Sequence, residues 1–295
     1  MELAGSSQDK KSQRAVAAFA RTPPVRREPV FQLLPLPPEL RGSIRSVKLA
    51  GNRKLVALTF DLCEARREIA GYDAELVNYL RQQHVKATFY AGGKWMRSHP
   101  EKTLQLMADP LFEIGNHAWT HGNLRVSKGQ AAQDQIRWTQ AQSELLWEAL
   151  KSRPCAVNAG LQELAKIPRL PLTFRFPYGA CNAEALQATA AAGLPAIQWS
   201  IVTGDPAPGQ TAAAMAQTIL SQITPGAIIV AHANGRGYHT AQALPLLIPK
   251  LRDALGYQFV TVSELLAAGQ AVTVETCYEE RPDDNLRYDG SNYSH

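Results

Sequence analysis

The feature that most limits what this chain can fold into is its alternation of short apolar segments with longer amphipathic ones. VALTF (56–60), KATFY (86–90), FEIGN (112–116), LTFRF (172–176), AIQWSIV (196–202), AIIVAH (227–232) and YQFVTV (257–262) each have the length and β-branched or aromatic content of a strand. Helical signals fall between them. Asp73 precedes the 3.6-residue rhythm of Leu76, Val77 and Leu80, Ser98 and Glu101 have capping-box spacing, and Ser127 stands where it can cap a long helix running toward Leu150. Asn182, Thr240 and Ser263 are candidate caps for three later helices. Strands joined through helices run parallel, so the expected fold is α/β, with about seven parallel strands either doubly wound or closed as a (β/α) barrel. The barrel is preferred, because in that architecture chemistry collects at the C-terminal ends of strands, and the unusual polar residues do fall there.

Those residues are Asp61, His117, Arg175, Asp205 and His232. His117 and His121, four apart in GNHAWTH, can point two imidazoles the same way from one helical turn and share a metal, or they can be ordinary hydrogen-bonded histidines. Arg175, between Phe174 and Phe176, alternates to the face opposite the rings. At a barrel mouth it can hold a buried carboxylate, and on a half-exposed strand it would pair with a surface acid. Pro177 stiffens the exit from that strand and presents the Tyr178 amide outward. His232 ends an apolar strand and is either a core histidine or, partnered by Asp205, a general acid with a raised pKa. Asp205 before Pro206 also suits a plain turn.

Composition bears on the ends of the chain. Of the 31 Lys and Arg, 11 lie in residues 1–54 against 4 acids, so the net charge of +5 belongs to a leader. Neither aromatic interleaving nor a nucleic-acid motif accompanies that basic arm, so no nucleic-acid role is expected. Residues 1–42 are Pro-, Ser- and Arg-rich and read as a flexible leader, 43–270 as the catalytic barrel, and 271–295 as an acidic tail. Apolar runs fall short of the ~20 residues a membrane span needs. AVAAFA, flanked by Arg14 and Arg21, is too short for a convincing secretory signal. The four cysteines form no CxxC pair, and GxSxG, HExxH and P-loop motifs are missing from the sequence.

Taken in order, TFD (59–61), KATFY (86–90), NHAWTH (116–121), RFPYG (175–179), WSIVTGD (199–205) and IVAH (229–232) make residues 50–270 resemble the polysaccharide deacetylases of carbohydrate esterase family four. The resemblance implies a distorted (β/α) barrel and a divalent metal, zinc or cobalt, used to hydrolyse N-acetyl groups on amino sugars of a glycan. It implies export from the cell, and a glycan as partner. It also implies His117 and His121 as metal ligands, Asp61 as general base, His232 as general acid, Arg175 orienting Asp61, the Tyr178 amide in the oxyanion site, and Asp205 tuning His232.

The chain departs from the family pattern at the metal. Leu62 stands where the family has a second acid as third ligand, Ala118 replaces Ser or Thr, Val202 and Pro206 stand for Asp and Trp, and Ala231 replaces a larger apolar residue. Glu64 is expected to supply the missing carboxylate. Strand alternation puts it on the face opposite Asp61, so this requires the chain to bend after Phe60 or Asp61. Cys63 is a softer alternative favouring zinc, and Asp61 could itself ligate with Glu64 as base. A disulfide between Cys63 and Cys277 would pin the tail across the barrel mouth. A homologue that has lost its metal and only binds glycan, or a hydrolase of a small non-sugar amide, would share these features.

Overall fold

The computed structural model describes residues 2–6, the backbone of 15 and 16, and residues 22–290. Most of the expected basic arm, and residues 291–295 of the tail, lie outside the described residues. The strands of the barrel and its edge are β1 (Ser43–Leu49), β2 (Leu55–Leu62), β3 (Ala87–Ala91), β4 (Phe112–Asn116), β5 (Ala196–Ile197), β6 (Ile201–Val202), β7 (Ile228–His232), β8 (Gln258–Val260) and β9 (Gly269–Val274), and a separate antiparallel pair joins Ala15–Val16 to Glu68–Ile69.

The central sheet is parallel, in the order β4-β3-β2-β7-β6. On one edge of β2, β8 pairs with Leu55–Ala57 and β3 follows along Thr59–Leu62, while β7 lies along Ala57–Asp61 on the other edge. Beyond β4, Phe174 makes single parallel bridges to Asn116 and Ala196, and β5 and β6 then lead back to β7. This course is a distorted barrel in which single bridges join β4 to β5 through Phe174 and strand pairing is interrupted between β5 and β6. LTFRF, expected as a full strand, contributes only Phe174 to that bridging. β1 pairs parallel with β5 and antiparallel with β9, and neither β1 nor β9 is among the segments read as strands.

Burial follows strand alternation. Val56, Leu58, Phe60 and Leu62 join Trp95, Leu104, Leu244 and Leu247 in the layer between sheet and helices. Ala57 faces the barrel interior with Tyr90, Ile197, Ile228 and Val230, and each large apolar side chain so buried contributes about 1.5–3 kcal/mol.

Several caps are where the sequence places them. Asp73 accepts from the Leu76 amide at 3.2 Å and Asn182 from the Ala185 amide at 2.8 Å. Others differ. Helix Pro100–Ala108 is entered from His99 with no side-chain cap, because the Ser98 hydroxyl donates to Glu64. Helix Gly129–Lys151 starts after Lys128 without a cap from Ser127, and Thr240 is the first residue of its helix. Thr261, not Ser263, caps helix Val262–Ala267, forming a capping box with Glu264.

Both ends are held by the barrel. Glu144, on the long helix, accepts from the Val30 and Phe31 amides at 2.6 and 3.0 Å and pairs with Arg26 and Arg169. The stretch read as a flexible leader is anchored to the long helix at Arg26, Val30 and Phe31. In the tail, Cys277 is bonded to Cys181 across a Cα separation of 5.3 Å. The expected Cys63–Cys277 bridge is thus corrected, since Cys63 is a free, buried thiol inside the barrel mouth while the tail passes beside the Cys181 loop. Among the described residues, no helix is long and apolar enough to cross a membrane.

Candidate metal centre and active site

Strand β2 carries the centre. Alternation continues past its end without a bend: Leu62 is in the outer apolar layer, and Asp61 and Cys63 share the interior face. Glu64 is consequently turned toward the helix layer, where its carboxylate accepts from Lys94 Nζ at 2.9 Å, Ser98 Oγ at 2.7 Å and the Ala70 amide at 3.1 Å. The expectation that Glu64 completes the metal set is corrected on this ground. Its charge is matched by a buried ammonium on the far side of the strand.

The group that does meet the histidines is Cys63. Ligand atoms of Cys63, His117 and His121 all lie within 4.8 Å of one another, and all three residues are buried. The two imidazoles converge through a loop, not the helical turn inferred from their spacing. Ala118 and His121 there adopt left-handed φ values of 61° and 56°. Asn116 Oδ1 accepts from the Ala118 amide and Gln135 Oε1 from the Thr120 amide, which fixes the loop. His117 Nδ1 donates to the Arg175 carbonyl at 2.9 Å, leaving Nε2 toward the centre. His117 Nε2 and His121 Nδ1 are buried without a hydrogen-bond partner, the condition a bound metal relieves.

Electrostatics favour the same set. Burial raises the Cys63 pKa, but the neighbouring charges of His121 and Arg236 and the contacts of both imidazoles outweigh it and hold the thiol well below its usual range. Burial holds His121 below its ordinary value, against the opposing pull of Cys63. One cysteine and two histidines, whose ligand atoms lie within 4.8 Å of one another, fit the three-ligand protein set of a catalytic zinc centre.

Asp61 flanks the centre on one side. Its Oδ1 accepts from Arg175 Nη1 at 2.9 Å, and Oδ2 stands 3.6 Å from His117 Nε2. Arg175 is fully buried and also donates to Thr59 Oγ1 at 2.8 Å, with its guanidinium 4.0 Å from the Tyr90 ring centroid. The carboxylate-holding alternative for Arg175 is the one observed. On the other side His232 Nδ1 meets Asp205 Oδ1 at 3.0 Å, and the His232 amide donates to Asp205 Oδ2 at 2.7 Å. Thr203 and Thr240 hydroxyls fix the same carboxylate. Burial lowers the His232 pKa, yet Asp205 raises it further, to well above the usual imidazole value. Tyr178, at φ 60°, packs its ring 4.4 Å from that of His121.

Two neighbours escaped the sequence reading. Asn234 donates to the Cys63 carbonyl at 2.5 Å and to its Sγ at 3.1 Å, while Arg236 pairs with Glu68 at 2.6 Å beside the thiol. The signal that could have found them is their position in the loop directly after His232. An apolar cavity of about 600 Å³, lined by Leu3, Met107, Phe112 and Leu150, shares no residue with the centre.

Residues 48–197, just over half of the chain, match the polysaccharide deacetylase family. Peptidoglycan-N-acetylglucosamine deacetylase PgdA of Listeria monocytogenes is 27% identical over 243 residues, covering 82% of this chain and 45% of that one, so the chain spans about half the length of that curated relative. The solved Bc1960 peptidoglycan N-acetylglucosamine deacetylase superposes with a TM-score of 0.61 at 24% identity, covering 77% of this chain and 94% of that one. BA3943, a family-four pseudoenzyme from Bacillus anthracis, does so with a TM-score of 0.59 at 24% identity, covering 77% and 69%. The α/β fold with its mostly parallel sheet is that of these structures, and the chain belongs to the polysaccharide deacetylase family.

Proposed function

We propose that this chain hydrolyses N-acetyl groups on the amino sugars of a cell-wall glycan, using a divalent metal held by Cys63, His117 and His121. The observation that carries this reading is the placement of a carboxylate–arginine pair and a carboxylate–histidine pair on either side of one thiolate–imidazole cluster. Held by Cys63, His117 and His121, such a metal would supply Lewis acidity for the amide carbonyl and would make water a stronger acid at neutral pH.

The side chains divide the remaining work. Asp61, fixed by Arg175, takes a proton from the attacking water as the carbonyl carbon becomes tetrahedral. The Tyr178 amide donates to the oxygen on which negative charge develops. His232, protonated under the influence of Asp205, gives its proton to the departing amine, so that acetate and a free amino sugar leave. Asp205 does not exchange a proton itself; its two oxygens are occupied by His232, Thr203 and Thr240. The Cys181–Cys277 disulfide supports residence in an oxidising compartment, consistent with an extracytoplasmic glycan substrate.

Metal analysis of the purified protein, alongside acetate release from chitin oligomers, peptidoglycan and acetylxylan, tests the proposal. About one zinc per chain and acetate release from an N-acetylated glycan are expected. A metal-free protein that binds chitin oligomers without releasing acetate would favour a non-catalytic homologue, the reading that Leu62 at the family acid position motivates.

A further inference from the structure

The tail beyond the barrel crosses the turn that carries Tyr178. Tyr178 and Gly179 are consecutive left-handed residues, with φ of 60° and 57°. Glycine adopts that conformation freely, but a tyrosine does so only where surrounding structure enforces it. The enforcing contacts come from residues 276–289. Asn285 is fully buried, and its Nδ2 donates to the Gly179 carbonyl, to the Cys277 carbonyl at 3.3 Å and to the Tyr178 carbonyl at 3.4 Å. Asn285 is in turn fixed by Arg125, whose guanidinium donates to Asn285 Oδ1 at 2.6 Å and to its carbonyl at 2.7 Å. Tyr288 stacks on the Tyr178 ring at 4.8 Å. A Cβ on Gly179 would lie 3.4 Å from the Tyr278 carbonyl, so tail and turn are in direct contact there too.

The tail itself is tethered at several points. Besides the Cys181–Cys277 bond, Arg45 donates to the Tyr278 and Glu279 carbonyls at 2.8 and 2.9 Å, and Trp199 Nε1 donates to the Glu279 carbonyl at 3.0 Å. These anchors lie on β1, on the segment between β5 and β6, and on the loop after the turn. A short side chain, held on two sides, thus grips the carbonyls of a two-residue turn whose Tyr178 ring packs 4.4 Å from that of His121.

We infer that Asn285 is a positioning residue for the reaction: the tail, through the Asn285 amide group, holds the Tyr178 and Gly179 carbonyls and so fixes the whole Pro177–Gly179 turn, including the preceding Pro177–Tyr178 peptide whose Tyr178 N–H is aimed where the oxyanion develops. This rests on the deacetylase reading above and adds to it a part of the chain outside residues 48–197. A preorganised donor stabilises an oxyanion because no reorganisation is needed during reaction, and removal of one such donor typically lowers turnover ~10²- to 10³-fold. Loosening its support should therefore lower kcat by at least about tenfold while leaving metal content and KM nearly unchanged.

The test compares Asn285→Ala, Asn285→Asp and Cys277→Ser in the full chain. Asn285→Asp keeps an oxygen for Arg125 but has no N–H to give the turn carbonyls. If Asn285 served only as an anchor for Arg125, the Asp variant would behave as wild type. If it holds the turn, Asp and Ala variants both show amide hydrogen exchange at residues 178–180 accelerated at least about tenfold, with β2 and β7 unchanged, and a matching drop in kcat on chitin oligomers. Cys277→Ser, which keeps Asn285, gives a smaller change of the same kind. Unchanged exchange and kcat in both Asn285 variants would overturn the inference, as would a loss of kcat accompanied by loss of metal. Should wild type release acetate from no glycan, the deacetylase reading fails separately, and the exchange rates alone decide whether the tail holds the turn.

Discussion

Replacing Cys63 by serine should dismantle the metal centre while leaving the barrel folded. In a tetrahedral site with sulfur at about 2.3 Å and nitrogens at about 2.0–2.1 Å from zinc, ligand atoms stand roughly 3.3–3.6 Å apart. The three ligand atoms here lie within 4.8 Å of one another, so they converge on a zinc ion by side-chain movements on the order of 1 Å. Serine offers a neutral hydroxyl on a shorter bond, which neither reaches as far nor carries the thiolate charge. Two histidines would then remain as protein ligands, one fewer than catalytic zinc normally has. A loss of at least about 100-fold in zinc affinity is expected, about 2.7 kcal/mol by the relation between affinity and free energy. Competition with a chromophoric chelator measures it, and cobalt substitution supplies an independent signature, since only the wild type should show thiolate-to-cobalt charge transfer. Zinc affinity within about threefold of wild type, or a cobalt spectrum identical in the Ser variant, would refute Cys63 as ligand and return the role to Asp61.

Three further outcomes follow from the same geometry. Leu62→Asp, which restores the residue typical of the family, should not improve metal binding: it places a carboxylate in the outer apolar layer beside Trp95 and Leu104 and should destabilise the fold by about 3–5 kcal/mol, read as a fall in urea midpoint. Glu64→Gln should leave zinc content unchanged but remove the carboxylate facing the buried Lys94 ammonium, lowering stability by about 3 kcal/mol; loss of zinc instead would restore Glu64 to the site. His232→Ala should keep its metal and lose turnover by ~10²- to 10⁴-fold, and equal activity would remove His232 from the proton transfer.

Much of this was legible in the chain itself. Apolar segments alternating with helical rhythms dictate a parallel α/β sheet because a chain returning through a helix must re-enter in the same direction. Asp61, His117, Arg175, Asp205 and His232 stand out because each interrupts or ends a segment otherwise built for a core. The alternation rule also contained the answer to TFDLCE: period two puts Asp61 and Cys63 on one face and Leu62 and Glu64 on the other. Only the fold decided that the rule holds beyond the strand end, since Lys94 and Ser98 arrive from a separate helix to receive Glu64 and no bend is needed.

What remained illegible shares one cause: it depends on which distant segments meet. Ser98 has the spacing of a cap, but its hydroxyl is taken by Glu64, 34 residues away. Cys277 pairs with Cys181 across 96 residues, and no local pattern distinguishes that partner from Cys63. The acidic tail lacks a core of its own, yet Asn285 becomes fully buried against the Tyr178 turn because Arg125, Arg45 and the disulfide bring it there. The sequence determined the central parallel strands, their polar ends and the two faces of β2, since those follow from local sterics and periodicity. Tertiary structure decided which side chain meets His117 and His121, the disulfide and the tail's seat, because these require side chains from separate elements to converge on one point in space.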